Sequence, residues 1–332
     1  MKSLSLLISL ATAVLAASRT SAPSGCIMVS KSGGAGNGRF TTVQAAVDSL
    51  SKSSSADQCI FIDKGTYNEQ VLVSARKARL SIYGYSTDTS SHSGNGATIT
   101  SSKSQKDGLS NDQTATLRVK AAGFRLYNVN VNNGFGEGSQ AVALSAYDDS
   151  GYYGCRFTGF QDTVLANEGR QLYAKCLIQG ATDFIFGQKA VAWFQKSDIR
   201  VLSKQLGYIT ANGRDKDSNP SYYVFNSCNI QAAAGNNVPA GAYYLGRPWR
   251  AYARVVFQHT SMTNVINQAG WTIWNSGDER TSNVLFGEIG NSGPGSQGNR
   301  ARFAKKLGQE VSINEILGDG HQSEKWYDAA YM

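Results

Sequence analysis

The stretch Tyr152-Tyr153-Gly154-Cys155-Arg156-Phe157 is answered twenty-one residues later by Tyr173-Ala174-Lys175-Cys176-Leu177-Ile178. Both segments carry an aromatic residue, a cysteine three positions on and an apolar residue two further. The same alternation returns as Leu126-x-x-Val129-x-Val131, Phe194-x-x-Ser197-x-Ile199, Phe225-x-x-Cys228-x-Ile230 and Phe257-x-x-Thr260-x-Met262. Short strands at this spacing, parted by Gly, Asn and Asp, point to stacked coils of unequal loop length, a parallel β-helix with apolar ladders inside. An antiparallel sandwich would need hairpin turns every 8 to 12 residues, and few Asn-Gly or Asp-Gly pairs lie between the strand-like runs. Helical periodicity is confined to Val43–Leu50, which could cap the first end. The longer stretches 202–221, 232–250 and 263–299 are expected to be loops walling a groove, and the more polar 300–332 to pack back along the outside.

Seven residues past Cys155 and Cys176 stand Asp162 and Asp183. Neighbouring strands lie about 4.8 Å apart, so the repeat brings two carboxylates within reach of one substrate group. A close carboxylate pair resists double ionisation, leaving one acid protonated and the other charged. Acyl transfer requires that division of labour. In Asp183-Phe184-Ile185-Phe186-Gly187 the aspartate adjoins an apolar run, and a buried charge needs a partner. Arg247, in Leu245-Gly246-Arg247-Pro248-Trp249, suits that part because a guanidinium grips a carboxylate bidentately and keeps it ionised. An ionised, oriented carboxylate can act as a nucleophile.

The 332 residues, 41% hydrophobic and 17% charged, are enough to bury one substantial core. Lys2, the apolar run Leu4–Leu15 and the small Ala16 and Ala17 have the form of a cleaved secretory signal over 1–17, leaving 18–332 as one domain. That run is too short to span a bilayer, so a soluble exported protein with no membrane association is expected. Export places Cys26, Cys59, Cys155, Cys176 and Cys228 where disulfides persist. Register favours Cys155–Cys176 first, with Cys26–Cys59 a second candidate and Cys228 left over. No C-x-x-C occurs, and His92, His259 and His321 are scattered, so no metal or other cofactor is expected. The net charge of +8 favours an acidic partner. Lys and Arg are dispersed without a run of five, which argues against nucleic acid and leaves an acidic polysaccharide as the better candidate.

With these motifs in view, the chain resembles the pectin methylesterases, carbohydrate esterases of plants, fungi and bacteria. Gly65-Thr66-Tyr67-Asn68-Glu69, Gln140-Ala141-Val142, Gln161-Asp162-Thr163, Asp183-Phe184-Ile185-Phe186-Gly187 and Leu245-Gly246-Arg247-Pro248-Trp249 occur in that family's order. The resemblance implies a right-handed parallel β-helix acting on methylated homogalacturonan; a monomer without cofactor is expected. It implies Asp183 as nucleophile, Asp162 as the acid that then serves as base, Gln140 and Gln161 as oxyanion donors and Arg247 as the residue orienting the nucleophile. Gln140 and Arg247 would also touch substrate, and Trp249 and Trp271 match aromatic positions lining the sugar groove. Tyr67 and Glu69 read as structural. Against a serine esterase, no Gly-x-Ser-x-Gly elbow exists and no histidine has a triad context. A pectin lyase or glycosidase could use clustered aspartates, but the paired glutamines suit an acyl oxyanion better. A noncatalytic wall-binding solenoid would explain the basic charge and the groove aromatics while leaving Asp183 and Arg247 without purpose.

Overall fold

Alternation of buried and half-buried positions along short β-branched and aromatic runs gives strands that close on themselves rather than pairing as hairpins. The computed structural model describes residues 17–32, Gly34, Gly36 and 38–332; the signal reading over 1–17 falls almost wholly on residues outside these. Among the described residues, strands form three long sheets of twelve, eight and seven strands, all of them parallel between neighbours, which is a right-handed parallel β-helix. One coil runs through Ser150–Tyr153, Arg156–Thr158 and Val164–Ala166, one strand in each sheet, and the next begins at Arg170–Ala174.

The repeated aromatic is the inner ladder. Tyr152, Tyr173, Phe194, Phe225 and Phe257 pair in register and stack face to face with centroids 4.3–4.8 Å apart. Successive coils therefore bury large rings on one another, each adding contact energy beyond area burial.

The repeated small residue has a different purpose from the one expected. From Asn128 onward the chain turns from the twelve-stranded to the eight-stranded sheet through a left-handed residue: Asn128, Gly154, Lys175, Lys196, Ser227 and His259 all have φ between 47° and 56°. The next side chain donates to a carbonyl of the preceding coil: Cys155 Sγ to Leu126 O, Cys176 Sγ to Tyr152 O, Ser197 Oγ to Tyr173 O, Cys228 Sγ to Phe194 O and Thr260 Oγ1 to Phe225 O. Cys155 and Cys176 are free and buried, so the expected Cys155–Cys176 disulfide is not formed. They belong to a column of small donors in which serine and threonine serve equally. The bridge is Cys26–Cys59, at the first end of the stack, with Cα atoms 4.6 Å apart.

The helix Val43–Ser49 caps that end by burying Val43, Ala46 and Val47. Its first N–H groups have no partner within the helix, and the Glu69 carboxylate accepts from Val43 N and Gln44 N, each at 2.8 Å. Tyr67 is buried and its hydroxyl donates to Asp63 O at 3.0 Å. The Gly65–Glu69 motif is therefore part of the cap. At the other extreme of the sequence, Val311, Ile316, Leu317, Trp326 and Tyr331 cover the outer face of the twelve-stranded sheet against Tyr127, Tyr153, Leu172, Trp193 and Val224.

The stretches expected as groove loops are not free loops. They contain the strands Gly207–Asn212, Tyr243–Pro248 and Leu285–Ile289, the first two in the seven-stranded sheet. Their sequences hid third-sheet strands because only the turns around those strands vary in length.

Candidate active site

On the outer face of the seven-stranded sheet, in-register positions on successive strands are Ser145, Leu165, Phe186, Ala211 and Arg247. Leu165, Phe186 and Ala211 cluster with Val142 and Ala115, and the half-buried Trp249 and Trp274 pack against them. This is an apolar floor with aromatic edges. Gly213 admits Trp249 to it, since a Cβ there would lie 2.6 Å from the indole.

The aspartates occupy the turns that lead into this sheet. Ala141 N donates to Gln161 O and Asp162 N to Thr182 O, so the turns stack in register. Two columns result, Gln140–Gln161–Thr182 and Ala141–Asp162–Asp183. Asp162 and Asp183 both hold left-handed backbone, at φ 64° and 49°. Such backbone is uncommon outside glycine, and aspartate adopts it more readily than most residues. The turns place the two aspartates on adjacent coils, one above the other.

Burial is severe: Asp162 is 6% and Asp183 7% exposed. Asp183 is met by Arg247, whose Nε donates to Oδ1 at 3.0 Å and Nη2 to Oδ2 at 2.7 Å. Burial pushes the Asp183 carboxyl above its ordinary range, while the hydrogen bond and charge of Arg247 pull it back. Asp162 has no such grip. Burial first, then the neighbouring Asp183 charge, hold its carboxyl well above the usual carboxylate range, with only the distant pull of Arg247 in opposition. The two carboxyls are thus treated unequally: Asp183 is paired with a guanidinium, whereas burial and a like charge both oppose ionisation of Asp162.

Arg247 stands two strands beyond the coil of Asp183, and the intervening strand carries the small Ala211 between Phe186 and Arg247. A long side chain is needed to cross that distance, and a small neighbour leaves it room. The guanidinium carbon lies 4.0 Å from the Tyr208 ring centroid and 4.3 Å from that of Trp274.

Asp162, Asp183, Gln140, Gln161, Arg247 and Trp249 therefore border one region. Trp271 does not. It is 1% exposed, stacked on Phe286 at 4.3 Å, with its Nε1 donating to Glu288 Oε1 at 3.0 Å. Its ring fills the interior beside Gly246, where a Cβ would crowd it at 3.2 Å, so the expected groove position for Trp271 is corrected to a core one. Sequence reasoning missed Trp274 and Tyr208. The signal for Trp274 was available in Trp271-Thr272-Ile273-Trp274: in extended chain, residues an odd number apart face opposite sides, so burying the first indole directs the second outward.

The pectinesterase family model matches residues 27–314. The chain is 52% identical over 326 residues to a pectinesterase of Aspergillus aculeatus, covering 97% of each chain. Among solved structures, the deglycosylated pectin methylesterase of Aspergillus niger is 41% identical, with a TM-score of 0.86 over 95% of this chain and all of that one. Carrot pectin methylesterase is 29% identical, with a TM-score of 0.80 over 93% and 98% of the two chains.

Proposed function

The chain belongs to the pectinesterase family of carboxylic ester hydrolases, and on that premise we propose that it is exported and removes methyl esters from the galacturonate units of pectin through a covalent acyl-enzyme on Asp183. The observation that carries this reading is the unequal treatment of two stacked, buried aspartates: Arg247 grips Asp183 in a bidentate pair, while Asp162 is left to burial and to the charge of its neighbour. One is set up to attack and the other to give a proton.

An Asp183 oxygen adds to the ester carbonyl carbon, and the carbonyl electrons move onto oxygen. Gln140 and Gln161, in one column beside the aspartates, supply amide N–H donors to that oxyanion, each worth roughly 3–4 kcal/mol of barrier. Collapse breaks the bond to methoxide oxygen, which takes the Asp162 proton and leaves as methanol. The galacturonyl group now shares an anhydride with Asp183. Asp162, ionised by that transfer, takes a proton from water as its oxygen adds to the galacturonyl carbon. The second collapse returns carboxylate to Asp183 and frees acidic pectin, with Asp162 again protonated. Trp249 at the groove edge offers a flat face to a sugar ring. Among the described residues, no helix is long and apolar enough to cross a membrane, and the N-terminal run supports export.

The test follows methanol, new reducing ends and unsaturated uronides together on highly methylated pectin, for the native chain and Asp183→Asn. Asparagine tolerates the left-handed backbone, so the variant should fold, and methanol alone is expected from the native chain with none from the variant. Near-native methanol release by Asp183→Asn refutes the covalent route, and chain cleavage without methanol replaces the esterase with a depolymerase.

A further inference from the structure

The two rings flanking the Arg247 guanidinium are not equally held. Tyr208 lies on the strand Gly207–Asn212 inside the sheet, stacked on Tyr244. Trp274 lies outside the strands, at the base of a small hairpin. Trp274 N donates to Glu279 O, and Asn275 and Asp278 exchange backbone hydrogen bonds. The hairpin turns through Gly277 and closes at Arg280, which has φ of 56°. Left-handed backbone at an arginine brings its guanidinium back over the base of the hairpin, where its carbon lies 4.9 Å from the Trp274 ring centroid. Arg280 is fixed there by Asp278, with Nε 2.9 Å from Oδ2, and by donation from Nη1 to Trp249 O. With its amide oxygen and nitrogen exchanged, which satisfies both contacts, Asn275 donates to Trp274 O at 2.8 Å and accepts from Trp274 Nε1 at 3.1 Å. The Trp274 carbonyl in turn accepts from Arg247 Nη1 at 3.3 Å.

We propose that Trp274 and Arg280 are positioning residues of the esterase reaction: Arg280 anchors the Trp274 indole against Arg247, and the indole and the Tyr208 ring together confine the guanidinium to the plane in which it faces Asp183. The inference rests on the reading of Asp183 as nucleophile. Its chemical point is selection. Asp162 and Asp183 sit on adjacent coils, and a guanidinium free to swing could pair with either. Pairing with Asp162 would ionise the acid and leave the nucleophile protonated, reversing the roles. Rings against its faces leave an arginine its edge for bonding, and the bidentate geometry spends that edge on Asp183. The charged and titratable groups facing this assembly are Asp183, Asp162 and Tyr208 around Arg247, and, at Arg280, Asp278, on which Arg250 also acts.

The test measures kcat and KM for methanol release against pH in Trp274→Ala, Trp274→Phe, Arg280→Gln and Arg280→Lys, with thermal melting to confirm folding and Asp183→Asn alongside. Misplaced reacting groups cost on the order of tenfold to a hundredfold in rate, so Trp274→Ala and Arg280→Gln should lower kcat by about that range. They should also move the acid limb of kcat/KM to higher pH, because a loosened Arg247 leaves the buried Asp183 easier to protonate. Trp274→Phe and Arg280→Lys, which keep a ring or a cation, should fall between. A rise in KM with the limb unmoved would make Trp274 a sugar platform and overturn the proposal. A folded Arg280→Gln with native kcat and native limb overturns it as well, and since the Arg280 side chain is partly exposed on the hairpin this variant is available even if Trp274→Ala fails to fold. If Asp183→Asn is inactive while the hairpin variants behave as native, the positioning device alone fails; if Asp183→Asn is active, the nucleophile assignment fails with it.

Discussion

Replacing Arg247 by methionine isolates the energetics on which the site depends. Methionine keeps an unbranched stem between Tyr208 and Trp274 but removes the charge and both bonds to Asp183. The pair is well buried, with side chains 15% and 9% exposed for Arg247 and Asp183, so solvent screening gives little relief. Removing one partner of a buried pair costs about 3–5 kcal/mol, because the other charge is left uncompensated. That loss has a pH signature. Burial already holds the Asp183 carboxyl above its ordinary value against the pull of Arg247, and without the arginine it must rise further. The folded variant then binds a proton that the unfolded chain releases near pH ~3.9. Because the unfolded chains titrate alike, the deficit relative to the native chain is smallest at low pH and widens only as pH rises from the raised Asp183 titration of the native fold toward the still higher one of the variant, by at most about 1.4 kcal/mol per pH unit for one proton. Urea unfolding of the native chain, Arg247→Met, Asp183→Asn and the double variant at pH 4, 5.5 and 7 measures both effects. A coupling of about 2–3 kcal/mol between the two positions at pH 7 is expected. A deficit below about 1 kcal/mol that stays flat with pH would show that Asp183 does not depend on Arg247 for its charge, and the division between the two aspartates would have to be explained otherwise.

Asp162→Asn should abolish methanol release yet stabilise the protein at neutral pH. Its carboxyl is held well above the unfolded value, so native stability falls as pH rises through the raised range, and asparagine carries no such penalty; the difference in melting temperature should grow from pH 3 to pH 7, and a pH-independent difference would refute the buried-acid account. Trp271→Ala should cost about 3–5 kcal/mol as a core truncation while leaving KM for pectin unchanged in the folded fraction, whereas Trp249→Ala should raise KM; the reverse pattern in steady-state assays would return Trp271 to the groove. Opening the Cys26–Cys59 bridge with paired serines, across a separation of 33 residues, should cost about 3–4 kcal/mol in chain-entropy terms, and identical denaturation midpoints for the two forms would show that the first end is held by the Glu69-capped helix alone.

Register is what made part of this molecule readable. In a parallel β-helix a repeat in sequence is a column in space, so the positions of Tyr152, Tyr173, Phe194, Phe225 and Phe257 became a ring stack, and the twenty-one residues between Asp162 and Asp183 became one coil. Register alone could not say what a column is for. Cys155 and Cys176 align as well as Cys26 and Cys59 do, but at the middle coils the side chain is committed to a carbonyl of the coil before, a commitment visible only when Ser197 and Thr260 are seen donating in the same way. The third-sheet strands were missed for a related reason, since variable turns on both sides of Gly207–Asn212 and Tyr243–Pro248 destroy the constant spacing by which a repeat is recognised.

The same unevenness explains where the groove lies. From Tyr152 to Tyr173 to Phe194 each coil takes twenty-one residues, whereas the next two, to Phe225 and Phe257, take thirty-one and thirty-two. The short coils have no residues to spare for excursions, so their turns stack directly and hold Gln161, Asp162 and Asp183 in register with the neighbouring coils. The longer coils must place their surplus outside the stack, and they build from it the segment after Asn212 that admits Trp249 beside Gly213 and, further on, the hairpin that carries Trp274 and Arg280. Floor and wall are thus one chain property seen on either side of a change in coil length. Arg247 sits on the wall side and reaches across Ala211 to the floor side, so the bond that splits the aspartate pair also ties the long coils to the short ones. Insertions that lengthened the Asp162 or Asp183 coil would break that register, while those in the downstream turns would reshape the groove and leave the chemistry in place.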